Sequence, residues 1–227
     1  MITEHWPLYD LRITTPRLEL RLPTPDDLAA LATLAAGPIH DPARMPFASE
    51  WTDAPPAERS RSVLQHHWRS LAEWTPRKWT LQLVTVADDT VIGTQAIGGD
   101  NFAVVREVHT GSWLGQHHQG RGFGVEMRAA VLHLAFHGLG AREAVTGAVT
   151  DNPASLGVSR RLGYVPNGVV NRSMRGKPAV EQRFRLERAN WRSPIEPITL
   201  TGVEPCLALF GIQASNVATD DHPAPGV

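Results

Sequence analysis

The sequence predicts an α/β fold, in the sense of an α+β arrangement with one mixed sheet and helices on its faces. Predicted strands occur both before and after two mid-chain helices, which favours a sheet over a helical bundle. No linker-like stretch interrupts residues 15–186, so we expect them to form one domain. With 227 residues, the chain is long enough to bury a core without disulfides or structural metals.

Up to residue 79, this domain is predicted to contain one strand and two helices. Residues 17–22 form the strand, because leucines alternate there with charged residues. A helix follows at 24–36, where Thr24 is a suitable N-cap, a proline occupies the first helical position and acids fill the first turn. A proline-broken loop at 40–54 leads into a longer helix at 56–74.

The rest of the domain, from residue 80, is predicted to supply most of the sheet. Helices are expected at 125–137 and 152–162. Strands are expected at 80–86, 91–98, 104–114, 144–149 and, as one or two strands, 164–186.

Composition limits the function classes. Lys+Arg 22 against Asp+Glu 23 gives a net charge of −1, which argues against a nucleic-acid binder that relies on neutralising phosphates. The first residues lack the basic flank and apolar run of a signal peptide, and no apolar stretch approaches the ~20 residues of a membrane span. The single cysteine, Cys206, fits a reducing compartment. We therefore expect a cytoplasmic protein that does not bind membranes.

The domain organisation follows from the same survey. Residues 1–190 are expected to form the main domain with an N-terminal extension, 191–212 a C-terminal extension, and 213–227 a disordered tail, since the tail is polar and lacks periodicity. His133 and His137 share a helix face, but neither the metalloprotease pattern nor a third ligand accompanies them, so no metal site is expected.

The most informative segment is the glycine-rich loop at 119–124, Gln-Gly-Arg-Gly-Phe-Gly, which leads directly into the helix predicted at 125–137. Glycines let backbone N–H groups approach a ligand closely, and the start of a helix favours an anion such as a pyrophosphate. The spacing is not the dinucleotide-binding pattern, and the lysine of a Walker loop is absent.

The loop resembles the Q/R-x-x-G-x-G/A signature of the GNAT superfamily of acyl-CoA N-acyltransferases, with Gln119, Gly122 and Gly124 at the defining positions. Residues 152–155 and 160–164 resemble the second motif of the family, an Asn-x-x-Ser helix that ends in Gly-Tyr. The resemblance implies the GNAT-like fold, in which two central strands splay apart between flanking helices.

Two further segments refine the resemblance. Residues 15–21 are similar to the opening strand of the branch that acetylates the N-termini of ribosomal proteins. Residues 6–8 and 40–42 are similar to actinobacterial members described as succinyltransferases.

The resemblance implies a site for acetyl-CoA or succinyl-CoA, the acyl donor and co-substrate, without a metal. The main chain of the glycine loop would hold the pyrophosphate, and the splayed strand would hold pantetheine and supply the oxyanion donor. The implied binding residues are Trp113, Leu114, Gly115, Gln119, Gly120, Arg121, Gly122, Phe123, Gly124, Asn152 and Ser155. Helix capping is the alternative role for Asn152, since a proline follows it.

Three residues are candidates for the chemistry. A base must take a proton from the attacking amine, and His109 is the first candidate because an unperturbed imidazole titrates at about 6.5. Glu107, one alternation away on the same face, is the second. Many family members place a tyrosine acid seven residues after the asparagine; here Ser159 stands there, which shifts the acid role to Ser155 or to solvent.

These residues predict an N-acyltransferase that moves an acetyl group to a primary amine, either a protein N-terminus, a lysine or a small amine. Two alternatives remain: a succinyltransferase, and a catalytically silent acyl-CoA-binding module. A succinyl donor would need a cation at its distal carboxylate, for which Arg44, Arg172, Arg175 and Lys177 are available. The expected partners are an amine acceptor and, in a homodimer or higher homo-oligomer, further copies of the chain.

Overall fold

The computed structural model describes residues 1–213, and nine strands within them form one sheet in the order β7-β8-β6-β5-β4-β3-β2-β1-β9. The strands are β1 Arg12–Thr14, β2 Glu19–Arg21, β3 Lys78–Ala87, β4 Thr90–Asp100, β5 Glu107–Leu114, β6 Glu143–Val149, β7 Val165–Met174, β8 Lys177–Glu187 and β9 Thr199–Thr201. The α-helices are α1 Ile2–His5, α2 Pro25–Ala36, α3 Pro56–Ala72, α4 Phe102–Val105, α5 Phe123–His133 and α6 Pro153–Arg161. The predicted mixed sheet with flanking helices is confirmed.

The helices cover the two faces of the sheet. Val84 of β3 packs with Leu31 of α2 and Val63 of α3 on one face. The next residue, Thr85, points to the other face, where its hydroxyl lies 3.8 Å from the Met127 sulfur of α5. The sheet is thus the middle layer between the α2–α3 pair and α5.

Strands β5 and β6 are parallel neighbours that separate after three paired residues. The pairing runs only from Glu107 opposite Glu143 to His109 opposite Val145. Beyond this point β5 continues along β4, and β6 continues along β8. The Thr146 hydroxyl still reaches the Thr110 carbonyl at 3.2 Å at the start of the gap. The sheet therefore opens into a V between its two central strands, as the family resemblance predicts.

One predicted strand begins too early. Residues 104–106 were expected to open the strand at 104–114, but Phe102–Val105 form the short helix α4, and β5 starts at Glu107. Asn101 and Arg106, at the two ends of α4, both have left-handed backbone angles, with φ of 49° and 56°. These two turns close the segment into a helical turn and bury Phe102 completely. The β-branched valines of the segment are left exposed.

The segment predicted to hold one or two strands contains two, β7 and β8, which form a hairpin. Its tight turn uses Arg175 and Gly176, both with positive φ, as two-residue hairpin loops require.

Residues beyond 190 join the sheet and the core. Strand β9 pairs with β1, so that Leu200 lies opposite Ile13. Phe210 is fully buried, with its ring centroid 4.7 Å from that of Trp79. The Trp74 indole N–H donates to the Leu209 carbonyl at 2.9 Å. The predicted disordered tail, apart from its first residue, lies outside the residues that the structure describes.

No helix among residues 1–213 is long and apolar enough to cross a membrane. Within the same residues, no group of three His, Cys, Asp or Glu side chains is arranged to hold a metal ion.

Candidate active site

The glycine loop forms an open cradle of backbone N–H groups at the start of α5. Gly120 and Gly122 adopt left-handed φ angles of 72° and 84°. Gly122 is the N-cap of α5, and its carbonyl accepts the first helical hydrogen bonds. Among the residues that the structure describes, the N–H groups of 120–124 find no hydrogen-bond acceptor. Five consecutive free donors at a helix N-terminus make a binding site for an anion.

Two arginines border this cradle. The guanidinium carbons of Arg17 and Arg121 lie 4.7 Å and 5.0 Å from the Phe123 ring centroid. The Arg17 side chain also donates to the Arg121 carbonyl at 3.0 Å. It is fixed by Glu126, a buried carboxylate that accepts from Arg17 Nε at 2.7 Å. Arg17, which the sequence reading did not assign to the site, therefore lies next to the free amides with its charge paired to Glu126.

Gln119 serves as a brace for the loop. Its side-chain amide donates to the Ile39 carbonyl at 2.7 Å and to the Leu114 carbonyl at 2.9 Å. It thereby ties the end of β5 to the segment after α2. This side chain has its partners inside the protein, so the contribution of position 119 to an anion site lies in shaping the loop.

The wall of the V on the β5 side carries the predicted residues 113–115. The Gly115 N–H donates to the Ile92 carbonyl of β4 at 3.0 Å. The Thr110 and Leu114 carbonyls accept from Thr146 and Gln119, on the opposite edge of β5. The backbone groups of even-numbered residues in this stretch therefore face the gap, whereas the Gly115 amide is committed to the sheet.

Asn152 and Ser155 lie at the start of α6, on the other side of the V. The Asn152 side-chain oxygen accepts from the Ser155 N–H at 3.0 Å, which makes Asn152 the N-cap of the helix. Its side-chain nitrogen donates to the Pro46 carbonyl at 3.1 Å. The capping role considered from the sequence is therefore present in the structure. Both polar atoms of this side chain have partners within the chain.

The loop at 40–54 covers the V between β5 and β6. Trp51 lies against Trp113 on the β5 side, with ring centroids 5.4 Å apart. Met45 packs against Val149 on the β6 side. Arg175, at the tip of the β7–β8 hairpin, holds this loop in place. Its Nε donates to Asp53 Oδ2 at 2.8 Å, and its Nη1 donates to the Pro42 carbonyl at 2.9 Å.

His109 and Glu107 occupy the open face of β5, on the α2–α3 side of the sheet. The His109 imidazole lies directly over Gly98, in the space that a side chain would otherwise fill. This partial burial lowers the pKa of His109, although Asp100 acts in the opposite direction. Burial raises the pKa of Glu107, and the neighbouring Glu143 carboxylate raises it further. Both predicted bases therefore lie on the same face of β5.

The model of the GNAT acetyltransferase domain matches residues 17–165, which include every predicted site residue. The chain belongs to the GNAT family. The sequence-based identification as an N-acyltransferase of this family is thereby confirmed.

Solved structures of GNAT enzymes have the same fold. RimJ from Mycobacterium smegmatis, in complex with CoA-disulfide, is 17% identical with a TM-score of 0.63, covering 80% of this chain and 88% of RimJ. RimL, a ribosomal L7/L12 α-N-protein acetyltransferase in complex with coenzyme A, is 18% identical with a TM-score of 0.61 (76% and 95% covered). A spermidine N-acetyltransferase chimera of Vibrio cholerae SpeG and hSSAT is 16% identical with a TM-score of 0.60 (76% and 96% covered).

The GNAT fold of this chain brings most of the predicted residues to one place. The glycine loop, the end of β5 and the start of α6 all border the V between β5 and β6. His109 and Glu107 lie beside its closed end, on the face away from α5. The sequence reading missed Arg17 and a second arginine, Arg128, which is buried between the two walls of the V.

Proposed function

We propose that this GNAT protein transfers an acetyl group from acetyl-CoA to a primary amine by direct attack of the amine on the thioester. The observation that carries the proposal is the set of five free N–H groups at 120–124, which open beside the V between β5 and β6. An anionic group connected to a thin, flexible arm suits this combination. Acyl-CoA has both, a pyrophosphate and a pantetheine arm.

In this proposal the residues divide the work between binding and chemistry. The amides of the glycine loop, with Arg17 and Arg121 beside them, bind the pyrophosphate. The walls of the V hold the pantetheine arm, with backbone groups of β5 available to the thioester oxygen. The amine acceptor approaches from the face that carries His109 and Glu107.

The reaction requires the amine to lose a proton. The amine nitrogen bonds to the thioester carbon, the carbon–sulfur bond breaks, and the thiolate takes the bonding electrons. His109, or Glu107 in its place, accepts the proton that the nitrogen gives up, directly or through water. The products are an amide and CoA, and the thiolate regains a proton from the base or from solvent.

Two of the four cations considered for a succinyl carboxylate are already engaged by acids. Arg175 is paired with Asp53, and Arg172 is paired with Glu181 at 2.6 Å. These two arginines, available for a succinyl carboxylate on the sequence alone, already have acidic partners. Succinyl-CoA remains the competing donor in the experiment. The cytoplasmic location and the homo-oligomeric state stay predictions.

The binding part is tested by calorimetry with CoA and the variant Gly122→Val. A side chain at Gly122 projects into the cradle beside Arg17, so we expect CoA affinity to fall at least 100-fold. Gly168→Val is the matched control: Gly168 has a φ of 83° and open space around it, so backbone strain is similar but the site is untouched. Equal CoA affinity in the two variants would contradict the assignment of the loop.

The chemical part is tested by thiol release. Purified protein is incubated with acetyl-CoA or succinyl-CoA and a panel containing a peptide N-terminus, a lysine side chain and a polyamine. Amine-dependent release with acetyl-CoA supports the proposal. Release only with succinyl-CoA would assign the other donor, and CoA binding without release would identify a silent binding module.

A further inference from the structure

Arg128 is a buried cation in the part of α5 that faces the V. Its side chain is 4% exposed. Nη1 donates to the Ser159 hydroxyl at 3.0 Å, and Nη2 lies 3.4 Å from the Ser112 hydroxyl. Within residues 1–213 the guanidinium forms no ion pair, and its Nε has no acceptor. A fully buried arginine held only by two hydroxyl groups lacks the negative charge that such groups normally have.

The position of Arg128 connects the two walls of the V. Ser112 belongs to β5 beyond the point where this strand leaves β6. Ser159 belongs to α6, the helix that follows β6. The guanidinium therefore spans the gap between the walls. At a rise of 1.5 Å per residue, the backbone of Arg128 lies about 6 Å along α5 from that of Gly124.

The surroundings of Arg128 are polar but uncharged. One more buried polar atom close to these elements, Gln95 Oε1, lacks a partner in the described part of the chain, and the Tyr164 phenol interacts with the Thr110 hydroxyl. Burial raises the pKa of Tyr164, so its phenol stays neutral and does not neutralise the arginine. Burial also lowers the pKa of Arg128, yet an arginine in a protein keeps its proton. The site is thus a fixed positive charge that an incoming anion would balance.

We propose, building on the acyltransferase function proposed above, that Arg128 stabilises the thiolate of CoA as it leaves. The amine forms its bond to the carbonyl carbon, the carbon–sulfur bond breaks, and sulfur takes the electron pair as a thiolate next to the guanidinium. The bound thioester is neutral, so this interaction strengthens only as negative charge develops on sulfur. The thiolate later takes the proton that the amine released.

Ser159 acts in this scheme as a positioning residue. Its hydroxyl donates to the Ser155 carbonyl at 3.1 Å and accepts from Arg128. Its proton is therefore committed to α6, and its lone pair orients the guanidinium. The pyrophosphate does not compete for Arg128, because the free amides that suit it lie at the exposed start of the helix.

The test measures the thiol pKa of CoA bound to the protein, by the ultraviolet absorbance of the thiolate across a pH titration. We expect the bound thiol to titrate at least one pH unit below free CoA in the same buffer, a tenfold stabilisation of the thiolate. Arg128→Met, a similar length without charge, should remove this shift. Arg128→Lys should retain part of it, and Arg160→Met, which removes an exposed arginine of α6, should leave it unchanged.

Steady-state rates give the second readout. Arg128→Met should lower kcat on the order of 10²–10³-fold with little change in the KM for acetyl-CoA, as expected for a group that acts on developing charge. A loss confined to succinyl-CoA would assign Arg128 to the acyl carboxylate and overturn the proposal.

The two proposals fail in different ways. A wild-type protein that binds CoA without shifting its thiol pKa overturns the role of Arg128 and leaves the acyltransferase function standing. A wild-type protein that does not bind CoA by calorimetry overturns the function, and the role of Arg128 with it.

Discussion

His109 and Glu107 lie two residues apart on one strand, and their surroundings shift their pKa values in opposite directions. Partial burial lowers the pKa of the imidazole, whereas burial and Glu143 raise the pKa of the carboxyl. Near neutral pH, His109 is therefore in its neutral form and can accept a proton. A raised pKa also makes Glu107 a better base than an ordinary glutamate.

The pH profile separates these two bases. If His109 takes the amine proton, kcat/KM rises with pH through an apparent pKa below the ordinary 6.5 of histidine, because the protonated form is inactive. His109→Gln should remove this limb and lower the rate about 10²–10⁴-fold. Profiles of wild type and variant are compared with one acceptor, because the amine itself titrates. A limb that survives in His109→Gln but disappears in Glu107→Gln would make Glu107 the base.

The sequence revealed the glycine loop but not the two arginines, for a physical reason. Gly122 and Gly124 stand next to a predicted helix start, so their function follows from local geometry. Arg17 and Arg128 depend on contacts with residues over 30 positions away, such as Arg17 with Glu126 and Arg128 with Ser159. An arginine inside an amphipathic helix is normally solvated, and only the packing of α5 against α6 shows that Arg128 is not.

At the scale of elements, helix α3 carries a buried histidine with a consequence for acid stability. His67 is 3% exposed, and its Nε2 has no partner among residues 1–213. Burial, together with the neighbouring His66, lowers the pKa of His67 to about 4. The imidazole must therefore stay neutral in the folded protein.

We expect acid to destabilise the protein through this residue. Above pH 6.5 the His67 imidazole is neutral in both the folded and the unfolded protein. As the pH falls toward 4, the imidazole of the unfolded protein takes up a proton that folded His67 resists, so the free energy of unfolding decreases. The loss reaches about 3 kcal/mol by pH 4. Urea titrations at pH 7 and pH 4 measure it. Between pH 7 and pH 4, the His67→Leu variant should lose about 3 kcal/mol less stability than the wild type does. The exposed control His5→Leu should lose as much stability as the wild type. Equal losses in the two variants would contradict the assignment.

Element length explains which parts of the fold could be predicted. The long strands β3 and β4 and the helix α2 have clear periodicity or capping signals, and the structure contains them near the expected bounds. Strands β1 and β9 have three residues each, too few for an alternation pattern; β1 is held between β2 and β9, and β9 pairs with β1. The prediction of strand at 104–106 is wrong because two left-handed residues, one at each end of α4, override the strand preference of its valines.

At the scale of the whole molecule, the N-terminal segment and the residues after 190, both outside the matched family region, pack against each other at the β1–β9 edge of the sheet. Strand β9 pairs with β1, and Phe210 packs into an aromatic cluster with Trp74 and Trp79. Trp6, from the N-terminal segment, contacts the same cluster through Trp74. The C-terminal extension therefore completes the core that supports β3 and β4, on which β5 and the active site depend.

Removing one ring from this cluster should weaken the whole fold. Phe210→Ala leaves a cavity beside two tryptophans, so the free energy of unfolding should fall by about 3–5 kcal/mol. Urea denaturation followed by tryptophan fluorescence measures the change. Val104→Ala, at a side chain that is 83% exposed, is the control and should stay within about 0.5 kcal/mol of wild type. A Phe210→Ala variant as stable as the control would show that the extension is dispensable.

The pairing of β9 with β1 also bears on the order in which the protein becomes structured during its synthesis. Strand β1 leaves the ribosome early and pairs with β2, but its other edge stays open until residues 199–201 have been made. At about 5–20 residues per second, roughly ten seconds or more separate the two events. During that interval the Trp79 side of the core lacks Phe210. We therefore expect a nascent chain of this protein to expose an unpaired strand edge and an aromatic surface of the kind that chaperones bind.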